Sequence, residues 1–555
     1  MKKITLLLFA FLVMLQVDAQ ENYKNGVVVS AHPEASKVGI EILKQGGNAI
    51  DASIAVQFAL AVVYPNAGNI GGGGFLVYRD NKGNVDALDY REKAPLAAKE
   101  DMYWGPDGNA ITALSLYGQL AAGVPGTVDG MVTAHKKYGK LPWKKLVQPA
   151  IDLAEKGFPI TQMQASELTN KHQEFIKYNA NVNALTVKSE WKKGDLLIQK
   201  DLAKTLKLIQ KNGRKGFYEG KVAELIVKEM KRGNGIISKQ DLKDYHSVWR
   251  TPVSGTYKGY KVISMPPPSS GGIALVSLFQ SVEKYPLKEW GFQSEKAIQV
   301  MVEAERRVYA DRAEHLGDPD FIKVPKNQLL NKDYNVNRMN NFSFDRASKS
   351  SEIKAGEIIG KESMETTHYS IVDKDGNAVS VTTTLNGSYG SLVVVDGAGF
   401  LLNNEMDDFS VKPGTPNLYG LVGGKANAIQ PSKRMLSSMT PSILEKEGKL
   451  YMVVGTPGGS TIITSVFQTI LNVLEFDMTM QEAVAAPRFH HQWLPDQIDY
   501  EPQAIAEHVR EALVRKGYIL KERKPYGRVE GILVNPDGTY QAGADPRGDD
   551  KAIGY

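Results

Sequence analysis

The chain has no cysteine in its 555 residues. That removes disulfides, thiolate metal sites and cysteine nucleophiles at once, and with them a lipid anchor on a lipoprotein cysteine. A surplus of one charge is missing too. Its 67 basic and 62 acidic residues leave +5, no argument for the concentrated basic face that phosphate binding needs, and no nucleic-acid partner is expected. Long apolar runs are scarce. Ala49 to Tyr64 is interrupted by Asp51, Ser53 and Gln57 and falls short of the roughly 20 residues of a membrane span, so it reads as a buried helix. There is no internal repeat and no extended low-complexity tract. What remains, 42% apolar and 23% charged residues, is a globular composition, long enough for several domains or one large α/β domain.

At the N-terminus, Lys2 and Lys3 precede the uncharged stretch Ile4 to Leu15, and Val17-Asp18-Ala19 offers small or modest residues before a cut. A basic start, a short apolar core and such a cut describe a secretory signal peptide over residues 1–19, with an uncleaved anchor as the alternative. The mature protein is expected to be periplasmic or secreted.

Further along, Val27 to Ser30 predicts a strand and Glu34 to Gln45 a helix. Four glycines, 71–74, lead into strands at Phe75 to Tyr78 and Val85 to Tyr90. Residues 115–250 read as mainly helical with lysines on solvated faces. Pro266 to Gly272 is a rigid turn before another helix, and 323–365 is polar, rich in asparagine and loop-like. Thr367 to Val372, the turn cluster Asp373 to Asn377 and Ala378 to Asn386 form a β-hairpin. Leu450 to Val454 is a strand that enters Gly455-Thr456-Pro457-Gly458-Gly459-Ser460, and Thr461 to Leu474 is an apolar helix. Hairpins packed with helices predict a layered α/β domain. Glu303, Glu305 and Arg306 read as helix-surface pairs. Asp318 and Asp320 read as a turn about Pro319. His490 and His491 read as structural, because neighbours on a strand point to opposite sides and seldom share one ion.

The hairpin carries the chemistry worth testing. With a loop of residues 373–377, Val372 faces Ala378 and the same register sets Thr366 opposite Thr384, with Asn386 on the face of Thr384. A one-residue slip would undo this. Two readings stand: the threonines 366, 367, 382, 383 and 384 are β-formers, or Thr366 and Thr384 work together. A threonine hydroxyl needs a nearby base, and its own free α-amine, with a pKa of about 7.7–8.0, is one solution. That requires a cut after Glu365. Gly458 and Gly459, between a strand and a helix, are either a tight turn or a pair of N–H donors for a developing oxyanion. No lysine follows them as in a phosphate loop, and the G-x-S-x-G nucleophile elbow is absent.

In their order along the chain, "GGNAIDASIAVQFAL", "GNIGGGGF", "LDYREKAP", "GVPGTVDGM", "PPPSSGG", "YADRAEHLGDPDF", "TTHYSIVDKDGNAVSVT", "LNNEMDDFS", "KRMLSSMTPSI", "GTPGGS" and "PRFHHQW" resemble the gamma-glutamyltransferases (gamma-glutamyltranspeptidases). These are N-terminal-nucleophile hydrolases made as precursors and cut into a large and a small subunit. The resemblance covers nearly all of the chain after the leader. It implies an α+β, layered αββα sandwich with antiparallel sheets covered by helices. It implies a large subunit, 20–365, and a small subunit, 366–555, as partners in one intertwined catalytic domain.

The same resemblance makes Thr366 the nucleophile, cutting its own precursor at the Glu365 carbonyl, with Thr384 bonded to it and Gly458 and Gly459 as the oxyanion hole. Arg91, Ser437 and Ser438 would hold the α-carboxylate of a γ-glutamyl group, since a guanidinium fork suits that planar anion. Asp408, Glu405 and Asn386 would hold its ammonium, and Tyr419 would be the lid. No cofactor and no metal is implied. The small-molecule partners are a γ-glutamyl donor such as glutathione, and water or an amino acid or peptide as acceptor. A glutaryl or cephalosporin acylase on the same fold is the runner-up, but its donor lacks the α-amine that Asp408 would serve. A secreted binding protein without catalysis would have no need of Thr366, Thr384 and the glycine pair.

Overall fold

The computed structural model describes residues 22–355, 367–412 and 425–555. The leader 1–19, Glu365, Thr366 and Tyr419 lie outside the described residues.

Five strands make most of one sheet: β1 (Val27–Ser30), β2 (Gly73–Arg79), β3 (Val85–Asp89), β4 (Thr367–Val372) and β5 (Ala378–Thr384). They lie in the order β1-β4-β5-β2-β3, with Lys551–Gly554 and Val248–Arg250 at the two edges. The centre of a second seven-stranded sheet is β6 (Ser442–Lys446), β7 (Lys449–Gly455) and β8 (Glu530–Val534), with Tyr260–Ser264 beside β6. Every pairing within both sheets is antiparallel. In each sheet, strands from before residue 355 and after residue 367 lie side by side.

The two-residue period of β4 and β5 builds the layers. Tyr369, Ile371, Val379 and Val381 belong to one hydrophobic core with α1 (Ala49–Val63). Their even-numbered neighbours face the second sheet: the hydroxyl of Ser380 donates to the Val454 carbonyl at 3.2 Å and that of Ser370 to the Glu530 carbonyl at 3.1 Å. The far side of the second sheet is covered by α2 (Gly271–Val282), α3 (Glu295–His315) and α4 (Thr461–Leu474), which share the other large core. The result is the helix–sheet–sheet–helix sandwich. α1 starts on a capping box, Asn48 accepting from Asp51 N while Asp51 accepts from Asn48 N, and each of its residues is buried, as its apolar sequence predicts.

α3 corrects one expectation. Glu303, Glu305 and Arg306 are not surface pairs; they are at most 2% exposed. Beyond the pairing of Glu303 with Arg306 and Arg307 on the helix itself, their partners arrive from distant parts of the chain. Glu303 takes Arg307 Nη1 at 2.5 Å, Ser348 N at 3.1 Å and the Tyr518 hydroxyl at 3.1 Å. Arg306 reaches Ser350 Oγ at 2.5 Å and the Asp496 carboxylate. Glu305 accepts from His491 N at 2.9 Å, and burial pushes its carboxyl well above the usual range. The stretch expected to be loop-like carries two short helices, Lys326–Leu329 and Lys332–Arg338. Asp318 accepts from Asp320 N at 3.0 Å, the turn expected about Pro319.

Candidate active site

The hairpin turn is pinned by one side chain. Asp373 Oδ1 accepts from Asp375 N and Asn377 N, both at 3.0 Å, while Oδ2 accepts from Asn377 Nδ2 at 2.8 Å and from Ala49 N, at the start of α1, at 2.9 Å. That fixes Val372 opposite Ala378 and the register runs unbroken to Thr367 opposite Thr383, as a loop of residues 373–377 requires. At the open end Thr384 lies opposite Gly73 of β2. Gly73 has to be glycine: a Cβ there would come within 2.5 Å of the Tyr90 carbonyl oxygen and 2.6 Å of Glu92 Oε2. The Thr384 hydroxyl accepts from Asn386 N at 2.7 Å. Asn386 turns the chain in the left-handed region, φ 68°, which asparagine tolerates better than most residues.

Between the sheets, His368 bridges Thr382 Oγ1 and Ser370 Oγ, each at 3.0 Å, and burial lowers its pKa to about 3, so it stays neutral. Its ring lies over Gly455, where a Cβ would meet His368 Cε1 at 2.3 Å. Val454 sits at the level of Ser380 and Gly455 at that of His368, so β7 runs toward the open end of the hairpin. It continues through Thr456 and Pro457 into Gly458 (φ 132°) and Gly459 (φ 63°), values glycine adopts without strain. The carbonyls of these glycines accept from Thr461 N at 3.2 Å and Ile462 N at 3.0 Å, which ties the turn to the first residues of α4.

Beside this end lies a buried charge cluster. Arg91 follows β3 and is 1% exposed. Its guanidinium meets Glu405 Oε2 at 2.6 Å, pairs with Asp408, and donates to the carbonyls of Met435 at 3.3 Å and Leu436 at 3.2 Å. Glu92 Oε2 stands 3.6 Å from it. Burial disfavours the Arg91 charge, but Glu405 and Asp408 outweigh it and raise its pKa. Burial pushes Glu405 well above the usual carboxyl range in spite of Arg91, and Glu92 up to about 8. Three carboxyls thus surround one guanidinium, and a cationic nitrogen entering beside them would draw the two raised ones back toward their ionised form. Arg91 and Asp408, expected at opposite poles of a zwitterion, are direct partners here, as buried opposite charges require.

The two parts are joined through Asn404. Asn386 Nδ2 donates to the Asn404 carbonyl at 2.9 Å, Gly387 N donates to Asn404 Oδ1 at 2.8 Å, and Glu405 is the next residue. On the other flank, Ser437 Oγ accepts from Met439 N at 3.1 Å and Ser438 Oγ from Arg312 Nη2 at 2.9 Å. The structure therefore brings Arg91, Thr384, Asn386, Glu405, Asp408, Ser437 and Ser438 together and runs the Gly458–Gly459 turn toward the same end. Sequence reasoning missed Glu92, Asn404, Ser270 and Arg312. All four stand inside the family motifs, but no spacing rule connects them to the hairpin. His490, 1% exposed, bonds Thr464 Oγ1 at 2.8 Å and Ser460 Oγ at 3.1 Å, a packing role for that side chain.

Comparison with known proteins gives four findings. A family model described as gamma-glutamyltranspeptidase matches residues 35–555. The glutathione hydrolase proenzyme of Escherichia coli (strain K12) is 48% identical over 535 residues, 96% of this chain and 92% of its own length. Among solved structures, a cephalosporin acylase from Bacillus halodurans superposes over 97% of both chains with a TM-score of 0.87 at 26% identity. A chain of Helicobacter pylori gamma-glutamyltranspeptidase, 48% identical, matches over 97% of its length and 60% of this chain with a TM-score of 0.59. Among the described residues no helix is long and apolar enough to cross a membrane.

Proposed function

The chain belongs to the gamma-glutamyltranspeptidase family, and from that premise we propose which residues carry its chemistry. The protein is a self-processing gamma-glutamyltransferase and glutathione hydrolase with a threonine nucleophile. The nucleophile is Thr366, exposed by scission after Glu365, so that 20–365 and 366–555 are the large and small subunits. The observation that carries this is the register: Thr367, which follows Thr366 in the sequence, pairs with Thr383 at the open end of the hairpin, the end toward which β7 delivers its glycine turn.

The γ-glutamyl head enters the charge cluster. Its α-carboxylate lies against Arg91, Ser437 and Ser438, its ammonium against Asp408, Glu405 and Asn386, and Tyr419 closes over it. The three carboxyls of Asp408, Glu405 and Glu92 around Arg91, acceptors for an ammonium, support a donor with an α-amine over the glutaryl donors of an acylase. Thr366 Oγ attacks the γ-carbonyl and its proton passes to the α-amine of the same residue. The N–H groups of Gly458 and Gly459 stabilise the oxyanion. When it collapses, the amine product takes that proton and leaves, cysteinylglycine if the donor is glutathione. Water or an acceptor amine then attacks the γ-glutamyl ester, gives its proton to the α-amine, and Thr366 Oγ recovers it as the product departs. With residues 1–19 as leader, the enzyme works outside the cytoplasm.

A denaturing gel with N-terminal sequencing tests the assignment. Wild type should give two fragments, the smaller starting at Thr366. Thr366→Ala should remain one chain and leave a γ-glutamyl anilide intact; hydrolysis at the wild-type rate by that variant refutes the reading.

A further inference from the structure

Arg312 lies on α3, in the motif "YADRAEHLGDPDF", and takes no part in the acyl transfer itself. It is 2% exposed. Its Nε donates to Ser270 Oγ at 2.9 Å and its Nη2 to Ser438 Oγ at 2.9 Å. Ser270 in turn gives its N–H (2.7 Å) and its hydroxyl (2.8 Å) to the Ser437 carbonyl. One guanidinium fork thus fixes the Ser437–Ser438 dipeptide, by side chain at Ser438 and through Ser270 at Ser437. From the opposite flank Arg91 donates to the carbonyl of Leu436, the residue just before. The segment 436–438 is gripped between two buried arginines.

The chemistry of the grip is directional. A hydroxyl has one hydrogen and two lone pairs, and a guanidinium only donates. Arg312 fills a lone pair of Ser438, so the serine hydrogen is directed elsewhere. A hydroxyl that accepts from a cation is polarised as a donor. Met439 N does the same to Ser437 with a neutral N–H. Burial also pulls the Arg312 pKa down to about 10, against the pull of Asp408; an anion on the two serines would ease that burden.

Resting on the reading of Ser437 and Ser438 as carboxylate ligands, we propose that Arg312 is a positioning residue for the donor's α-carboxylate, turning Ser438 into a hydrogen-bond donor toward it. Arg312 does not touch the substrate. The enzyme's preference for donors that bear the carboxylate depends on it. Lysine is no substitute, because a single point charge cannot hold two hydroxyls in a fixed fork.

The test compares two donors: a γ-glutamyl anilide and a 4-aminobutyryl anilide, which keeps the amine and the scissile amide but lacks the α-carboxylate. Rates are taken per processed site for wild type, Arg312→Lys and Arg312→Gln. KM for the γ-glutamyl anilide should rise about tenfold in Arg312→Lys and further in Arg312→Gln, the scale of a hydrogen bond to a charged group, with kcat changed less than about threefold. kcat/KM for the 4-aminobutyryl anilide should stay within about twofold, so the preference between donors falls about tenfold or more. Equal losses on both donors make Arg312 a structural residue and overturn the proposal. A wild-type enzyme indifferent to the carboxylate overturns the reading of Ser437 and Ser438 and the proposal with it. If both Arg312 variants fail to process, Ser270→Ala keeps the charge and removes one acceptor of the fork. It should raise KM for the γ-glutamyl anilide alone by about threefold, and an unchanged preference there is equally fatal.

Discussion

α1 and α3 are both buried helices lying on opposite faces of the sandwich, for opposite reasons. α1 is apolar nearly throughout, and Asp51, its one carboxylate, caps its own start and accepts from Lys140 N and Leu141 N at 3.0 Å each. α3 buries Glu303, Glu305, Arg306, Arg307, Asp311 and Arg312. Transfer from water drives the first. The second depends on partners supplied by segments far away in sequence, and it brings a guanidinium to Ser438. The lesson is that α1 supports the site and α3 takes part in it.

Breaking the ionic helix should have the largest effect. Glu303→Ala leaves Arg306 and Arg307 buried without their shared carboxylate, at a cost of about 3–5 kcal/mol. The thermal unfolding midpoint of the processed enzyme should drop further than in Glu92→Gln or Ile54→Val. A loss under about 1 kcal/mol would show that α3 is held by its apolar residues after all.

The same contrast gives a pH signature. Folded Glu92 titrates at about 8 against an ordinary 4.5, with burial as the cause. The unfolded chain releases this proton first, so the contribution is fully present below pH 4.5 and is lost as pH rises toward 8, by up to about 1.4 kcal/mol per pH unit. Glu92→Gln removes that slope. Its stability relative to wild type should climb between pH 5 and 8, measured as thermal midpoints across a pH series. A constant difference over that range would mean Glu92 is ionised throughout.

How much of this stood in the sequence follows from the kind of force involved. The hairpin was legible because Asp373 and its turn are local and the strand period is two, so one loop length fixed every pair from Val372–Ala378 to Thr367–Thr383. α1 and α4 were legible because apolar runs report burial directly. α3 was not: charge along a helix looks the same whether its partners are water or, as for Arg306, Ser350 and Asp496. The cluster around Arg91 was legible as a set through family motifs, but the direct Arg91–Asp408 pairing was not, since residues so far apart in sequence meet only through the fold. Arg312 and Ser270 went unread for the same reason.

The smallest effect tests whether support and chemistry are separable. Ile54 on α1 is fully buried, so Ile54→Val should cost about 0.5–1.5 kcal/mol in thermal or denaturant unfolding. It should leave kcat/KM for the γ-glutamyl anilide, and the preference over the 4-aminobutyryl anilide, unchanged per processed site. The reason is the alternation of β4 and β5. α1 meets their odd-numbered face, where the Tyr369 hydroxyl donates to the Ser53 carbonyl at 3.1 Å. Thr384 and the side facing Gly455 are even-numbered. A missing methyl under the odd face reaches the even face only by shifting backbone that Asp373 and two neighbouring strands hold. If Ile54→Val moved the donor preference as Arg312→Lys is expected to, the two helices would not differ in role, and the division drawn between them would fail.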